Sequence, residues 1–67
     1  DDLRILYADG NYEKLVQQAE KYTLKDDTKK DPMPYLWMGK GLYKLSLHNM
    51  SFNVYRIALI KENKFVQ

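Results

Sequence analysis

The hydrophobic and polar positions of the chain alternate in four segments with the spacing of helices. In the first, residues 2–8, Leu3, Leu6 and Tyr7 recur at the three- and four-residue steps of one helical face. In the second, residues 12–24, apolar positions recur at the same steps and polar residues fill the other face. Both patterns predict amphipathic helices that bury one side against a neighbour.

The two later segments carry more apolar residues than one face of a helix can hold. Residues 33–48 are apolar nearly all round, which is typical of a helix packed between neighbours. Gly39 and Gly41 lie inside this segment and predict that another helix approaches closely, since glycine weakens a helix interior. Residues 52–63 carry two apolar faces, so one face is expected to lack a partner within these residues. One face consists of Phe52, Tyr55 and Leu59, and the other of Val54, Ile57, Ala58 and Ile60.

Turn-forming residues separate the predicted helices. Gly10 suits the end of the first helix, and Asn11 is expected to cap the second by accepting backbone hydrogen bonds. Residues 25–31, KDDTKKD, contain no apolar side chain and predict a solvated loop, which ends at two prolines that open the third helix. Ser51 is expected to cap the fourth helix in the same way as Asn11.

Length and composition narrow the possible classes of protein. A chain of 67 residues without cysteine is one small domain with no disulfide, thiolate metal site or thiol nucleophile. A net charge of +2, spread along the chain, disfavours nucleic-acid binding. The longest apolar run, residues 35–38, is far too short to span a membrane. Because the first residue is Asp1 rather than methionine, the chain is expected to be a processed product, a trimmed chain or the ordered part of a longer protein.

The polar residues do not form a recognisable catalytic or cofactor site. Ser51 lies three positions from His48, the only histidine, but the two residues bracket a predicted helix boundary. Asp26 and Asp27 lack the further ligands and the glycine of a calcium-binding loop. The sequence therefore predicts no enzyme, no metal site and no cofactor.

The fourth segment weakly repeats the second. Tyr12 and Phe52 each follow a turn and lie 40 positions apart, within the range of about 34–47 residues seen in helical-hairpin repeats. Residues 35–42, YLWMGKGL, fit the tetratricopeptide pattern W-x2-L-G-x2-Y class for class. Residues 7–15, YADGNYEKL, follow that family's pattern Y-x-x-G-D/N-Y-x-x-A, except that Leu15 replaces the alanine. The chain thus resembles a tetratricopeptide repeat protein and, more loosely, members found in the bacterial cell envelope.

The resemblance implies an all-α fold in which antiparallel helical hairpins stack as a solenoid fragment. Residues 1–67 would then be one segment of a longer repeat array. In this family the first helix of each hairpin lines a concave groove that binds peptides, and Arg4 and Tyr7 of the first helix would extend that groove. On the predicted third helix, the groove-lining positions fall at Leu36, Trp37, Lys40, Tyr43 and Lys44.

Three functions remain open at this point. In the first, the chain is a noncovalent protein- or peptide-binding scaffold, because aromatic anchors beside cations suit an acidic segment or a chain terminus. Ile57 and Ile60 would then receive further repeats or a second copy. In the second, the helices form a structural dimerisation or docking module without a groove. The third, a small nucleic-acid binder, is disfavoured by the balanced charge.

Overall fold

The structure, a computed structural model, describes residues 2–25 and 31–66, with side chains described for 3–25 and 31–62. The described residues form helices and short turns and contain no strand, which confirms the predicted all-α class. Most of the predicted solvated loop, residues 26–30, lies outside the described residues. The four helices are α1 (Asp2–Ala8), α2 (Tyr12–Thr23), α3 (Met33–Lys44) and α4 (His48–Val66).

The central element of the fold is α3, which packs against each of the other three helices. Within the described part of the chain, α4 packs against α3 and against no other helix. Turns of three residues join α1 to α2 and α3 to α4, so each pair forms an antiparallel hairpin. The molecule therefore consists of two hairpins that meet through α3, with α4 at one end.

A small apolar core holds the hairpins together. Leu3 of α1, Leu15 and Ala19 of α2, and Met38 and Leu42 of α3 form one buried cluster. Leu15 and Ala19 are completely inaccessible to solvent. Burial of a leucine-sized side chain stabilises the folded state by roughly 1.5–3 kcal/mol, so these few side chains account for much of the hairpin packing.

The two glycines of α3 allow helices to approach on both sides, as predicted. A Cβ atom at Gly39 would lie 2.7 Å from Cε1 of Tyr55 on α4. A Cβ atom at Gly41 would lie 2.8 Å from Cγ2 of Val16 on α2. Both distances are shorter than side chains tolerate, so any larger residue would push a neighbouring helix away.

The first hairpin turns through a Schellman motif, in which two backbone hydrogen bonds close the end of a helix. Gly10 has φ of +77° and donates its N–H to the carbonyl oxygen of Tyr7 at 3.1 Å. Asn11 donates its N–H to the carbonyl oxygen of Leu6 at 2.9 Å. Asn11 stands at the N-cap of α2 as predicted, but its side chain makes no capping hydrogen bond, so that part of the prediction is wrong.

The second hairpin turns through the same motif, with serine in the place of glycine. Ser46 has φ of +67° and donates its N–H to the carbonyl oxygen of Tyr43 at 3.0 Å. Leu47 donates its N–H to the carbonyl oxygen of Leu42 at 2.9 Å. These bonds satisfy carbonyl groups at the end of α3 and reverse the chain.

This turn corrects two predictions about the second hairpin. Because Ser46 turns the chain, α3 ends at Lys44 rather than at residue 48, and α4 begins at His48 rather than at residue 52. Ser51 is therefore not a helix cap but the fourth residue of α4. It is fully buried, and its Oγ donates a hydrogen bond to the carbonyl oxygen of Gly39 at 2.8 Å.

The two hairpins repeat with a spacing of 36 residues, as the turns at Gly10 and Ser46 show. The predicted spacing of 40 residues is wrong, because it assumed that α4 begins at residue 52. In the observed alignment Leu15 corresponds to Ser51, and both side chains are fully buried. The two hairpins thus share the hydrogen bonds and the φ region of their turns, although different residues stand at these equivalent positions.

Candidate functional site

Two predicted groove residues, Trp37 and Lys40, meet a tyrosine of α1 on one surface of the molecule. The rings of Tyr7 and Trp37 have centroids 5.7 Å apart at an angle of 59°. Lys40 Nζ lies 5.6 Å from the centroid of each of these rings. Tyr12, at the start of α2, meets the same Tyr7 ring edge-on, with centroids 5.7 Å apart. We call Tyr7, Trp37 and Lys40 the aromatic–lysine cluster.

The cluster exists because α1 and α3 pack side by side. Trp37 and Lys40 are three residues apart on α3, so both side chains project from the same side of that helix. Tyr7 lies in the last turn of α1, the helix from the other hairpin. A cation over the face of an aromatic ring is attracted by about 0.5–1 kcal/mol at an exposed site. The cluster thus links the two hairpins and leaves the Lys40 side chain exposed.

Tyr43, the third predicted aromatic of the groove, stacks at the turn of the second hairpin. Its ring lies 4.8 Å from that of His48, and the His48 ring lies 6.5 Å from that of Phe52. Tyr43 is half exposed, and His48 and Phe52 are exposed as well. The imidazole is therefore held between two aromatic rings, while the Ser51 hydroxyl bonds to the backbone of α3.

The remaining predicted groove residues, Leu36 and Lys44, also lie on α3. Leu36 is partly buried, and Lys44 is exposed in the last turn of the helix. Its ammonium group suits that place, because the carbonyl ends of a helix carry partial negative charge. Lys44 thus adds a second exposed cation to α3, one turn after Lys40.

Tyr55 of α4 lies against Gly39 of α3. Burial raises the pKa of the Tyr55 hydroxyl above its usual value, and the neighbouring hydroxyls of Tyr7 and Tyr43 raise it further. These contacts favour the neutral form of the Tyr55 phenol. Its ring fills the space that Gly39 leaves open and so brings α4 close to α3.

The exposed side of α4 is mixed, since Asn49, Asn53 and Arg56 are exposed there together with five large apolar side chains. The helix buries Ser51 and Ala58 and half-buries Val54 and Tyr55, all of which face α3. The predicted division into two faces is therefore wrong, because Val54 and Ala58 do not lie on the exposed side with Ile57 and Ile60. The exposed apolar residues of α4 are Met50, Phe52, Ile57, Leu59 and Ile60.

A shallow depression lies on the opposite end of the molecule, between α1 and α2. It is lined by Ile5 and Leu6 of α1 and by Lys14 and Gln18 of α2. Ile5 is an exposed apolar residue. The apolar pattern of α1 does not predict this feature, because Ile5 falls outside the stripe of Leu3, Leu6 and Tyr7.

A short repeated motif relates Tyr7 of α1 to Tyr43 of α3. Arg4-x-Leu6-Tyr7 in α1 recurs as Lys40-x-Leu42-Tyr43 in α3, at the same spacing of 36 residues as the turns. The predicted spacing of 40 residues hid this match. The first helix of each hairpin, α1 and then α3, thus carries a cation and a tyrosine at equivalent positions.

The described residues offer neither a metal site nor a membrane-spanning helix. No group of three histidine, aspartate or glutamate side chains lies close enough together there to hold a metal ion. No described helix has both the length and the apolar character needed to cross a membrane.

Comparison of the chain with protein-family models, with curated proteins and with solved structures finds no match.

Proposed function

We propose that this chain is a noncovalent protein-binding scaffold that acts within a larger assembly. Its binding surface is the exposed side of α3 and α1, where the aromatic–lysine cluster lies. The apolar surface of α4 provides a second contact area. Nothing in this role requires a cofactor or a chemical step.

The observation that carries the proposal is the position of Lys40 over the rings of Tyr7 and Trp37. Aromatic rings supply large contact areas that lose little conformational entropy on binding, and they are enriched where binding energy concentrates. Lys44 on α3 and Arg4 on α1 are exposed and add positive charge to these helices. A partner with acidic side chains or a terminal carboxylate would complement this surface.

The repeat of the fold is consistent with the resemblance to tetratricopeptide proteins. Its spacing of 36 residues falls within the range of about 34–47 residues for helical-hairpin repeats. In such arrays at least about three repeats are usually needed for stability. We therefore propose that the two hairpins belong to a longer array or are stabilised by a partner.

A structural docking module without a groove is the alternative function. It is favoured by the half-buried position of Trp37, which packs against the core cluster as well as against Tyr7. In that case the aromatic–lysine cluster only joins the hairpins. Removal of the Lys40 charge distinguishes the two functions. It should weaken peptide binding by a scaffold, whereas in a docking module it should change only the packing of the hairpins.

Fluorescence of Trp37, the only tryptophan, tests the proposal directly. The probes are two twelve-residue peptides of alternating glutamate and leucine, one with a free terminal carboxylate and one amidated. We expect binding to change the emission and Lys40→Glu to weaken it about tenfold, since the new carboxylate repels an acidic partner. Lys21→Glu, an equal change at an exposed position of α2, is the matched control.

The two peptides also separate the two kinds of acidic partner. Equal affinity for both indicates an acidic segment, and loss of affinity on amidation indicates a chain terminus. Binding that Lys40→Glu and Lys21→Glu reduce equally, or no binding of either peptide, would contradict a groove. A lower midpoint of thermal unfolding for Lys40→Glu without any peptide binding would favour the docking module.

A further inference from the structure

The repeat of 36 residues shows which part of α4 lacks a neighbour. The second helix of the first hairpin, α2, contacts α3 of the second hairpin where the Val16 side chain meets Gly41. The residue of α4 equivalent to Val16 is Phe52, which is 56% exposed. Two turns further, buried Thr23 of α2 corresponds to Leu59 of α4, which is 61% exposed. The surface of Phe52 and Leu59 therefore occupies the position at which α2 packs against the next hairpin.

The same repeat identifies the complementary surface at the other end of the molecule. The residue of α1 equivalent to Gly41 is Ile5, which is 55% exposed. Ile5 lines the depression between α1 and α2, together with Leu6, Lys14 and Gln18. In the second hairpin, the position equivalent to Ile5 is covered by α2. The α1 side of the depression, at Ile5, is thus the surface against which a preceding hairpin would pack.

From this we infer that the chain binds a second copy of itself head to tail, with Phe52 of one copy seated in the depression beside Ile5 of the next. Each copy carries the projecting ring at one end and the depression at the other. The contact continues the packing that α2 and α3 already make inside one chain. It does not depend on peptide binding at the aromatic–lysine cluster.

The sizes of the side chains indicate how this contact differs from the internal one. Ile5 and Phe52 together are larger than Gly41 and Val16, so α1 and α4 would lie further apart than α3 and α2. The separation of packed helices varies with the side chains at the contact, typically over about 8–10 Å. The depression provides room for the larger ring, and Leu59 extends the apolar contact along α4.

The two contacting surfaces are different, so the association does not close on itself. A heterologous contact of this kind leaves a free surface at each end and permits further copies to add. Because α1 is only seven residues long, the buried area is small, and such interfaces bind weakly. We expect a dissociation constant of about 10 μM to 1 mM.

Sedimentation of two complementary variants tests the inference. Phe52→Glu removes the ring but keeps the depression, and Ile5→Glu removes the depression but keeps the ring. We expect wild-type chains to show a mass that rises with concentration, and each variant alone to remain at the monomer mass of 8.0 kDa. An equal mixture of the two variants should form a dimer and nothing larger, because it contains one intact pair of surfaces. Leu24→Glu, at a residue that is 78% exposed outside both surfaces, should associate like wild type.

The mixture distinguishes a head-to-tail contact from a symmetric one. If two α4 helices simply met face to face, Phe52→Glu would stop association but Ile5→Glu chains, which keep Phe52, would still dimerise alone, and only half of the mixture would dimerise, which would overturn the inference. A wild-type chain that remains monomeric at about 1 mM, or Ile5→Glu chains that associate like wild type, would also overturn it. Circular dichroism confirms the folding of each variant, and Phe52→Gln with Ile5→Gln repeats the experiment if a glutamate variant unfolds.

Discussion

The turn at Ser46 shows how one residue decides the arrangement of the second hairpin. A non-glycine residue in the left-handed region costs roughly 1–2 kcal/mol, because its Cβ atom crowds the backbone. At the equivalent position of the first hairpin, Gly10 adopts the same conformation without this cost. Both turns make the same pair of hydrogen bonds, so the difference between them is confined to one side chain.

Replacement of Ser46 by glycine should therefore stabilise the protein. We expect Ser46→Gly to raise the free energy of unfolding by about 0.5–1 kcal/mol. Glycine removes the backbone strain of the folded state, and the greater freedom that it gives the unfolded chain offsets only part of this gain. Unfolding in urea, followed by circular dichroism, measures this change. The matched control is Gly10→Ala, which introduces the same conflict at the other turn and should destabilise the fold by about 1 kcal/mol.

The control isolates the backbone effect. A Cβ atom at Gly10 would have no other atom within 4 Å, so any loss of stability there reflects backbone conformation alone. If Ser46→Gly left the unfolding midpoint unchanged while Gly10→Ala lowered it, the left-handed serine would not be strained. The comparison therefore tests the assigned turn geometry as well as its energy.

Among the predictions for single residues, those that depend only on helix geometry are right, and the one that depends on the turn at Ser46 is wrong. Trp37 and Lys40 were placed on one side of α3 from their spacing, which depends only on helix geometry. The role of Ser51 was wrong, since it depended on where the chain turned. Serine is an uncommon residue in the left-handed region, so nothing local in the sequence marked Ser46 as the turn. Asn11 was placed correctly, but the hydrogen bond of its side chain was not.

At the scale of the helix, Gly39 and Gly41 balance helix propensity against packing. Alanine in place of a glycine stabilises a helix interior by about 0.5–1 kcal/mol. Overpacking of a tight contact costs about 1–3 kcal/mol. With a new Cβ atom only 2.7 Å from the Tyr55 ring, the packing cost at Gly39 exceeds the gain in propensity.

Gly39→Ala should therefore destabilise the protein by about 1–2 kcal/mol, although alanine is the better helix former. The contact is with a side chain, so removal of that side chain should reverse the sign of the effect. We expect Gly39→Ala to be neutral or stabilising when it is introduced into Tyr55→Ala. Thermal or urea unfolding of the four proteins in this cycle measures the coupling between the two residues.

Equal destabilisation in both backgrounds would show that Gly39 is required for some other reason than the approach of Tyr55. Gly41→Ala provides a comparison on the other side of α3, where the Cβ atom would meet Val16 and Leu15 of α2. It should also destabilise the fold, but Tyr55→Ala should not rescue it.

The sequence best predicts where the first helices begin and where helices approach each other closely. The first two helices begin where the apolar pattern predicts, and the approach of helices at the glycines of α3 was expected from the cost of glycine inside a helix. The faces of α4 were divided incorrectly. Large apolar residues lie on both the exposed and the buried sides of α4 and so weaken its periodic signal, and the buried stripe includes a polar residue, Ser51.

At the scale of the whole molecule, α4 contacts fewer helices than any other described helix. In repeat architectures each unit is stabilised by its contacts with adjacent units rather than by one large core. The helix α4 packs only against α3 within the described chain, and five of its large apolar side chains remain exposed. A further unit on these side chains should therefore stabilise α4 more than any other part of the molecule.

A tandem fusion of two chains tests this view of the whole molecule. A flexible glycine–serine linker of about fifteen residues has an average reach of about 20 Å, which holds the second copy near the end of the first at an effective concentration of about 1 mM. For a dissociation constant of about 0.1 mM, the contact should stabilise the fusion by about 1–1.5 kcal/mol relative to the single chain. Urea unfolding measures this difference.

The position of one substitution within the fusion then decides the direction of the contact. Phe52→Glu in the first copy removes the ring that faces the second copy, so the fusion should unfold like two independent chains. The same substitution in the second copy changes only a free end and should leave the added stability in place. A symmetric contact between the two α4 helices would be lost equally in both variants, because each helix would contribute one Phe52. Unequal effects of an identical change therefore require a directional stack, in which α4 of one unit supports α1 of the next.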